Sequence, residues 1–408
     1  MTYHTTALSG IRIVEFTLGV AAYFASKYLA SLGAQVIRVE SKKRLDTIRS
    51  RPAGVISKRM VGVGYETTWA NDFNLNKLGI TLDLSQPEGV DLAKRIVQLS
   101  DIVLQNMRPG VMERLGLGYL QLREINPSLI MLSSSQAGYN GPESTYSGYA
   151  PTFSALAGLG HVTGYPDGPP TEIRMPSDVI SAVTSAFALV TALLHRQKTG
   201  KGQHIDLSSR EALSCLIGDA LLEYSANHRN RYRHGNTNDT MAPHNCYRCR
   251  GEDKWISIAI GDDKEWQSFC HAIDDPEWSK EERFSRCDLR WHNQEELDRL
   301  IQSWTIEHTH YEVMEILQHA GVAAMPSFNA KEICEDPHLV ERGLLHNVEH
   351  PVLGKQTVFN PPWKLSSTPA KIKTHGPLLG EHNEYVFREL LGLSKHEIEI
   401  LAEKNVFY

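Results

Sequence analysis

The chain has 408 residues, of which 41% are hydrophobic and 22% are charged, a composition typical of globular proteins with two or three folding units. The net charge of −6 argues against broad nucleic-acid binding, which needs a basic face. Residues 1–6 lack the features of a secretory signal, and no run approaches the roughly 18 apolar residues that cross a bilayer, so we expect a cytoplasmic enzyme without membrane or nucleic-acid partners.

The first predicted elements form a strand–helix–strand unit. Residues 11–16 predict a short buried strand, residues 21–32 an Ala-rich helix that ends at Gly33, and residues 36–40 a second strand. This order within a short segment is typical of a βαβ unit, whose strands are parallel. The loop after the first strand contains Gly19 but no G-x-G-x-x-G motif, so it does not indicate dinucleotide binding.

The alternation of strands and helices continues along the first half of the chain. Further strands are predicted at residues 80–84, 101–105 and 129–133, with a helix from residue 86 to about residue 100. The pattern predicts an open α/β sheet, and ligands of such sheets bind beyond the carboxyl ends of the strands. The residues directly after predicted strands are therefore candidates for a site: Thr17, Glu40, Asn106, Ser134 and Ser135.

The composition changes near residue 226. Residues 228–244 are polar and basic, a strand is predicted at 254–260, and charged helical segments continue to about residue 320. We interpret residues 226–330 as a second, smaller α+β domain. Residues 331–375 are Pro-rich and irregular, and a helix follows near residues 382–391.

The six cysteines do not predict a disulfide framework, because cysteines this sparse in a long chain without a signal are typical of reduced thiols. Cys246 and Cys249 form a C-x-x-C pair. No second pair stands at a spacing typical of metal ligands, and a thioredoxin-like βαβ setting is missing. We therefore predict no metal site.

Asp178 opens a predicted helix of small residues that runs to about residue 196. A TGKGQ turn at residues 199–203 and a strand at 204–208 follow. By its own chemistry an Asp in this place is most simply a helix cap, because its carboxylate accepts hydrogen bonds from free backbone N–H groups. A carboxylate is also able to act as a covalent nucleophile.

The Asp178 region is one of many blocks that resemble the class III CoA-transferases, the formyl-CoA transferase-like (CaiB/BaiF) family. The other blocks lie at residues 8–16, 32–40, 76–84, 87–89, 106–110 (NMRPG), 114–117 (RLGL), 138–142, 199–203, 321–326, 336–339 and 376–382. Each block is weak alone, but together they cover nearly the whole chain in the family's order.

The resemblance implies an architecture and a set of partners. Residues 1–225 are expected to form the N-terminal part of a large, Rossmann-like CoA-binding domain, and residues 331–408 a linker and a return to it. Two subunits, identical or related, are expected to interlock into a dimer. Coenzyme A and acyl-CoA are expected as substrates, with no tightly bound cofactor.

The resemblance also implies a mechanism and a site. Asp178 is expected to attack an acyl-CoA and to pass through a mixed anhydride and an aspartyl-CoA thioester. Succinyl-CoA is the expected donor, and the expected acceptor is a dicarboxylate, including an aromatic one such as benzylsuccinate. The residues expected to bind CoA are Arg38, Lys77 and Arg114, at phosphate or adenine, and Asn106 and Met107, in the CoA cleft.

The chain departs from the family pattern in two places. Val20 and Tyr23 stand where relatives often have a Gln and the Pro of an Ala-Gly-Pro segment. Tyr149 stands where the related acyl-CoA racemases have the His that serves as their second acid–base group, which disfavours racemase chemistry. A third interpretation, a partner subunit of a heteromeric transferase with reduced activity of its own, stays open.

Overall fold

The computed structural model describes residues 6–49, 62–63, 66–173 and 175–407. The chain divides into two compact units. The larger one takes its residues from Met1–Gly160, Glu172–Asn227 and His338–Tyr408, and the smaller one from His161–Thr171 and His228–Pro337. Each unit has its own hydrophobic core.

The strands of the described residues are, in chain order, β1 Arg12–Phe16, β2 Gln35–Glu40, β3 Gly62–Val63, β4 Glu66–Thr67, β5 Lys77–Thr81, β6 Ile102–Gln105, β7 Ile130–Ser135, β8 His204–Ser208, β9 His244–Arg248, β10 Trp255–Ala259, β11 Ala323–Pro326, β12 Leu345–His350 and β13 Gly354–Phe359. The α-helices are α1 Val20–Ser31, α2 Thr68–Phe73, α3 Pro87–Gln98, α4 Val111–Arg114, α5 Tyr119–Ile125, α6 Ala150–Leu156, α7 Leu159–Val162, α8 Met175–Thr199, α9 Ser209–Ser214, α10 Gly218–Asn227, α11 Asp263–Ala272, α12 Cys287–His292, α13 Gln294–Thr305, α14 His310–His319, α15 Ala330–Glu335, α16 Pro337–Glu341 and α17 Lys395–Glu403. A π-helix spans Tyr385–Leu390, and short 3₁₀ turns lie at Lys42–Arg44, Cys215–Ile217, Glu277–Lys280 and Glu282–Phe284.

The larger unit is built on a six-stranded sheet in the order β5-β2-β1-β6-β7-β8, in which every neighbouring pair is parallel. The prediction of an α/β fold with a parallel central sheet is confirmed. From β1 the chain moves outward in one direction to β2 and β5, and then returns to the other side of β1 with β6. The sheet therefore has a topological switch point between β1 and β6, where ligands of open α/β sheets bind.

The strands of this sheet are buried on both faces because their apolar residues alternate between two cores. Val14 and Ile37 belong to a cluster that also contains residues of α3, α5 and the C-terminal segment. Their neighbours Ile13 and Val36 belong to a second cluster, which contains residues of α1 and α8. Successive side chains of a strand point to opposite faces, so this short apolar run is enough to hold helices on both sides.

Helix α8 corrects two expectations. It begins at Met175, before Pro176, and not at Asp178. Proline is tolerated in the first turn of a helix, where its missing N–H has no intrahelical partner to lose.

The expectation that no segment is apolar enough to cross a membrane was also wrong for this helix, whose most apolar 18 residues have a mean hydropathy of 1.7. Its small residues pack against α1 within the larger unit.

The smaller unit contains an antiparallel three-stranded sheet, β11-β10-β9, with helices α11 to α14 around an apolar core. The aromatic rings of Trp266 and Phe269 stack in this core at 5.4 Å between centroids. Cys246 lies on β9 and Cys249 is buried just after it, and both are free thiols. Burial raises the pKa of Cys249 to about 11, which disfavours the thiolate that redox or metal chemistry needs.

Candidate active site

The loops that follow β1 and β6 are joined at the switch point by Asn106. Its amide oxygen accepts a hydrogen bond from the backbone N–H of Leu18 at 2.8 Å, and its amide nitrogen donates to the Leu18 carbonyl. Gly19 follows with a φ of 75°, a conformation that favours glycine, and α1 begins at the next residue. Asn106 therefore fixes the point at which the N-terminus of α1 meets the carboxyl edge of the sheet.

Asp178 lies in the first turn of α8 and is partly buried. No described residue donates a hydrogen bond to its carboxylate, so the capping interpretation has no support in the structure. Burial raises the pKa of Asp178 to about 6. A desolvated carboxylate without partners is more reactive than a capped one, because nothing has to be released before it attacks.

Helices α1 and α8 pack together in the same direction. Helix α1 connects two parallel strands, and α8 runs directly into β8 of the same sheet, so both helices run opposite to the strands. Their first turns therefore lie together near the carboxyl edge. This arrangement brings Tyr23 of α1 near Asp178 of α8, and the Asp178 charge contributes to raising the pKa of the Tyr23 phenol.

Arg38 and Lys77 are fully buried and ion-paired inside the larger unit. Arg38 contacts the carboxylates of Asp46 at 2.7 Å and Glu15 at 3.4 Å, and Lys77 contacts Glu15 at 3.0 Å. These pairs connect β1, β2 and β5 from within. Neither cation reaches the surface in this arrangement, so a phosphate contact by either one stays a prediction that requires its pairs to rearrange.

The other two residues predicted to bind CoA lie close to Asn106 along the chain. Met107 is half-buried, packs against the core, and its N–H donates to the Gln105 side chain at 2.7 Å. Arg114 ends the short helix α4 and is exposed. The structure thus places Asn106 and Met107 on the loop after β6, with the exposed Arg114 seven residues after Met107. Arg38 and Lys77 are instead buried inside the larger unit.

Sequence reasoning missed Gln136, which directly follows β7. Its side-chain oxygen and the hydroxyl of Ser135 are buried, and neither has a hydrogen-bond partner among the described residues. Ser135 was identifiable by its position at a strand end, and the same signal applies to Gln136. A buried polar atom without a partner is costly, so these two groups are further candidates for ligand contacts.

Comparisons with known proteins agree with the α/β fold and identify the family. The chain matches the CoA-transferase family III over residues 8–383. It is 34% identical over 400 residues to a succinyl-CoA–D-citramalate CoA-transferase of Chloroflexus aurantiacus, covering 98% of each chain. It is 30% identical over 406 residues to the beta subunit of a succinyl-CoA–L-malate CoA-transferase of the same organism, again covering 98% of each chain. A crystal structure of a CAIB/BAIF family protein from Brucella suis superimposes with a TM-score of 0.85 at 28% identity, over 95% of this chain and 100% of that one.

The match to the family over nearly the whole chain settles the class of protein. The chain belongs to CoA-transferase family III and is an enzyme of the CoA-transferase class. The resemblance that the sequence blocks indicated is confirmed.

Proposed function

We propose that this enzyme moves CoA from succinyl-CoA to a dicarboxylic acid in the cytoplasm, with Asp178 as the covalent nucleophile. The observation that carries the proposal is the Asp178 carboxylate itself. It is partly desolvated, lies in the first turn of α8 near the carboxyl edge of a parallel sheet, and receives no hydrogen bond from a described residue. A carboxylate that only caps a helix is bonded to backbone N–H groups.

The reaction begins when an Asp178 carboxylate oxygen attacks the thioester carbonyl of the donor. The C–S bond breaks, CoA leaves as a thiolate, and an aspartyl–acyl anhydride forms. The thiolate then attacks the aspartyl carbonyl, which releases the donor acid as a carboxylate and leaves an aspartyl-CoA thioester. An acceptor carboxylate repeats the two exchanges in reverse, so the acceptor gains CoA and Asp178 is regenerated.

The proposed CoA contacts divide into two groups. Arg114 has an exposed charge and is suited to a phosphate, while Asn106 and Met107 line the cleft beside the switch point. Arg38 and Lys77 support the site indirectly, because their buried ion pairs connect β1, β2 and β5. They contact CoA directly only if these ion pairs break. The N-terminus of α1, whose first backbone N–H groups have no intrahelical partner, is suited to an oxyanion or phosphate.

The choice of substrates rests on the relatives. The two similar enzymes of Chloroflexus aurantiacus are named as succinyl-CoA-dependent, with citramalate and malate as acceptors. We therefore propose succinyl-CoA as the donor and a dicarboxylate of this kind as the acceptor. An aromatic dicarboxylate such as benzylsuccinate is the second acceptor to test.

Mass spectrometry of the intact protein after incubation with succinyl-CoA tests the mechanism. We expect an acyl or CoA adduct that maps to Asp178 and is absent from Asp178→Ala. Asp91→Ala is the matched control, because Asp91 is an exposed aspartate on α3 of the same unit. If Asp178→Ala is labelled as strongly as the unaltered protein, Asp178 is not the nucleophile.

We further propose that the enzyme is an interlocked homodimer. One side of α8 exposes a stripe of apolar side chains at helical spacing: Val183, Phe187, Val190 and Leu194. Such a stripe on a long helix is typical of an interface. The relative that is one subunit of a malate transferase makes a heteromer with a related chain the alternative, and a purified chain that forms the Asp178 adduct alone argues against it.

A further inference from the structure

Gln105, the last residue of β6, is fully buried and uses both ends of its side-chain amide. The amide oxygen accepts a hydrogen bond from the backbone N–H of Met107 at 2.7 Å, and the amide nitrogen donates to the hydroxyl of Tyr139. A backbone N–H can only donate, so the amide oxygen must face Met107 and the nitrogen must face Tyr139. The orientation of the Gln105 amide is therefore fixed by its partners.

Tyr139, on the loop after β7, is held in place independently of Gln105. Its backbone N–H donates to both carboxylate oxygens of Asp206 on β8, at 2.9 and 3.0 Å. Its ring packs edge-on against the ring of His204, with 5.8 Å between the centroids. His204 is in turn hydrogen-bonded to Ser133 of β7 at 2.9 Å. Tyr139 thus has a position set by β7 and β8, and Gln105 is bonded to that fixed point.

Two consecutive side chains connect the loop after β6 to its neighbours on both sides. Asn106 bonds to both backbone groups of Leu18, on the loop after β1. Gln105 bonds to Tyr139, on the loop after β7. The only atom of the β6 loop that Gln105 holds directly is the backbone nitrogen of Met107. The path of the chain at Met107 therefore depends on Gln105.

We propose that Gln105 is a positioning residue for CoA binding: it fixes the backbone at Met107, and with it the NMRPG segment at residues 106–110, in the shape that receives CoA. This inference rests on the proposed function, in which Asn106 and Met107 line the CoA cleft. Gln105 is buried and acts through Met107, without a contact to CoA of its own. A loop that is already held in its bound shape loses less conformational freedom when the ligand binds.

Calorimetry with free CoA tests this role without any need for turnover. Gln105→Leu leaves the Met107 N–H and the Tyr139 hydroxyl without their partner, so we expect the Kd for CoA to rise about tenfold. In assays of CoA transfer, KM for succinyl-CoA should rise with little change in kcat, because Gln105 acts on binding. Gln105→Glu is the rescue variant, since a carboxylate accepts from both the Met107 N–H and the Tyr139 O–H. Its Kd should stay within about threefold of the unaltered enzyme.

Gln35→Leu is the matched control. Gln35 is also a glutamine that joins neighbouring strands of the same sheet, because its side-chain oxygen accepts from Arg12 Nε at 2.6 Å. It is the first residue of β2, so it lies at the amino edge, away from the carboxyl-edge loops. Its loss should lower the unfolding temperature and leave the Kd for CoA unchanged. Tyr139→Phe, a milder variant that keeps the ring, should raise that Kd by less than Gln105→Leu does.

This inference is overturned if Gln105→Leu binds CoA as tightly as the unaltered enzyme. It is equally overturned if Gln35→Leu weakens CoA binding as much, because the effect would then be a general loss of stability. The proposed function fails separately. If CoA binds in a way that depends on Gln105 but no acyl-CoA labels Asp178, the positioning role stands and the transfer mechanism does not.

Discussion

The partial burial of Asp178 has a consequence for stability as well as for chemistry. The pKa of its carboxyl is raised from 3.8 to about 6, so the folded protein holds this proton more tightly than the unfolded chain. The folded state is therefore favoured by this group below about pH 4, and that advantage is lost as the pH rises through about 6. At neutral pH the ionised carboxylate, which is the form that attacks in the proposed mechanism, destabilises the fold.

Asp178→Asn should accordingly stabilise the protein at pH 7.5 while abolishing the adduct. The free energy of unfolding should increase by about 1–3 kcal/mol, because the rise of the pKa from 3.8 to about 6 corresponds to about 3 kcal/mol. Urea unfolding at pH 7.5 and at pH 4 measures it, and the gain should shrink at the lower pH. Asp91→Asn, at an exposed position on α3, should have no such effect. If Asp178→Asn is less stable than the unaltered protein at pH 7.5, burial does not destabilise the ionised carboxylate as the raised pKa implies.

At the scale of elements, buried charges connect the strands on one side of the switch point. Glu15 of β1 pairs with Arg38 of β2 and Lys77 of β5, and all three side chains are fully buried. Burial lowers the pKa of Lys77 to about 8, although Glu15 opposes the change. The ions do not make the fold more stable than apolar residues would, but removing one partner leaves an uncompensated charge in the interior.

Lys77→Met should therefore destabilise the larger unit by about 3–5 kcal/mol. Urea unfolding followed by circular dichroism measures the change. The matched control is Lys404→Met, because Lys404 makes an exposed pair with Glu88 at 2.8 Å on the surface of the same unit. The control should change the unfolding free energy little. Equal effects of the two substitutions would show that the buried pair has no special role.

At the scale of the whole molecule, one side of α8 exposes apolar side chains to solvent. Its opposite side packs on α1, where buried Ser181 and Ser185 donate their hydroxyls to carbonyls four residues earlier and so permit close contact. The outward side exposes large apolar groups, of which Phe187 is 73% exposed. This asymmetry fits a helix of membrane-like composition that packs against α1 on one side and, in the proposed dimer, contacts a second chain on the other.

Phe187→Glu should dissociate the proposed dimer, because a charge in an apolar interface is costly. Light scattering across a range of protein concentrations measures the mass. Leu120→Glu is the control, since Leu120 is 74% exposed on α5 and lies outside the stripe. An unaltered protein that stays monomeric at all concentrations would refute the dimer.

Much of the larger unit was predictable because its strands are short apolar runs with helices between them. Strands β1, β2 and β6 fall within a residue of their predicted positions. The start of α8 at Met175 was not predictable, because a proline such as Pro176 usually marks the boundary of a helix. Proline is nevertheless compatible with the first turn of a helix. The burial of Arg38 and Lys77 was also not predictable from the sequence, because arginine and lysine side chains are usually exposed in proteins.

The sequence by itself determined the family, the parallel α/β architecture and the candidate nucleophile, because these depend on local periodicity and on motifs in a fixed order. Only the tertiary structure decided which groups are paired. It assigned Arg38 and Lys77 to buried carboxylates and left the Asp178 carboxylate without a hydrogen-bond partner among the described residues. Hydrogen bonding and desolvation depend on residues that are distant in the chain, such as Glu15 and Lys77, which are 62 positions apart, and no local pattern encodes that proximity.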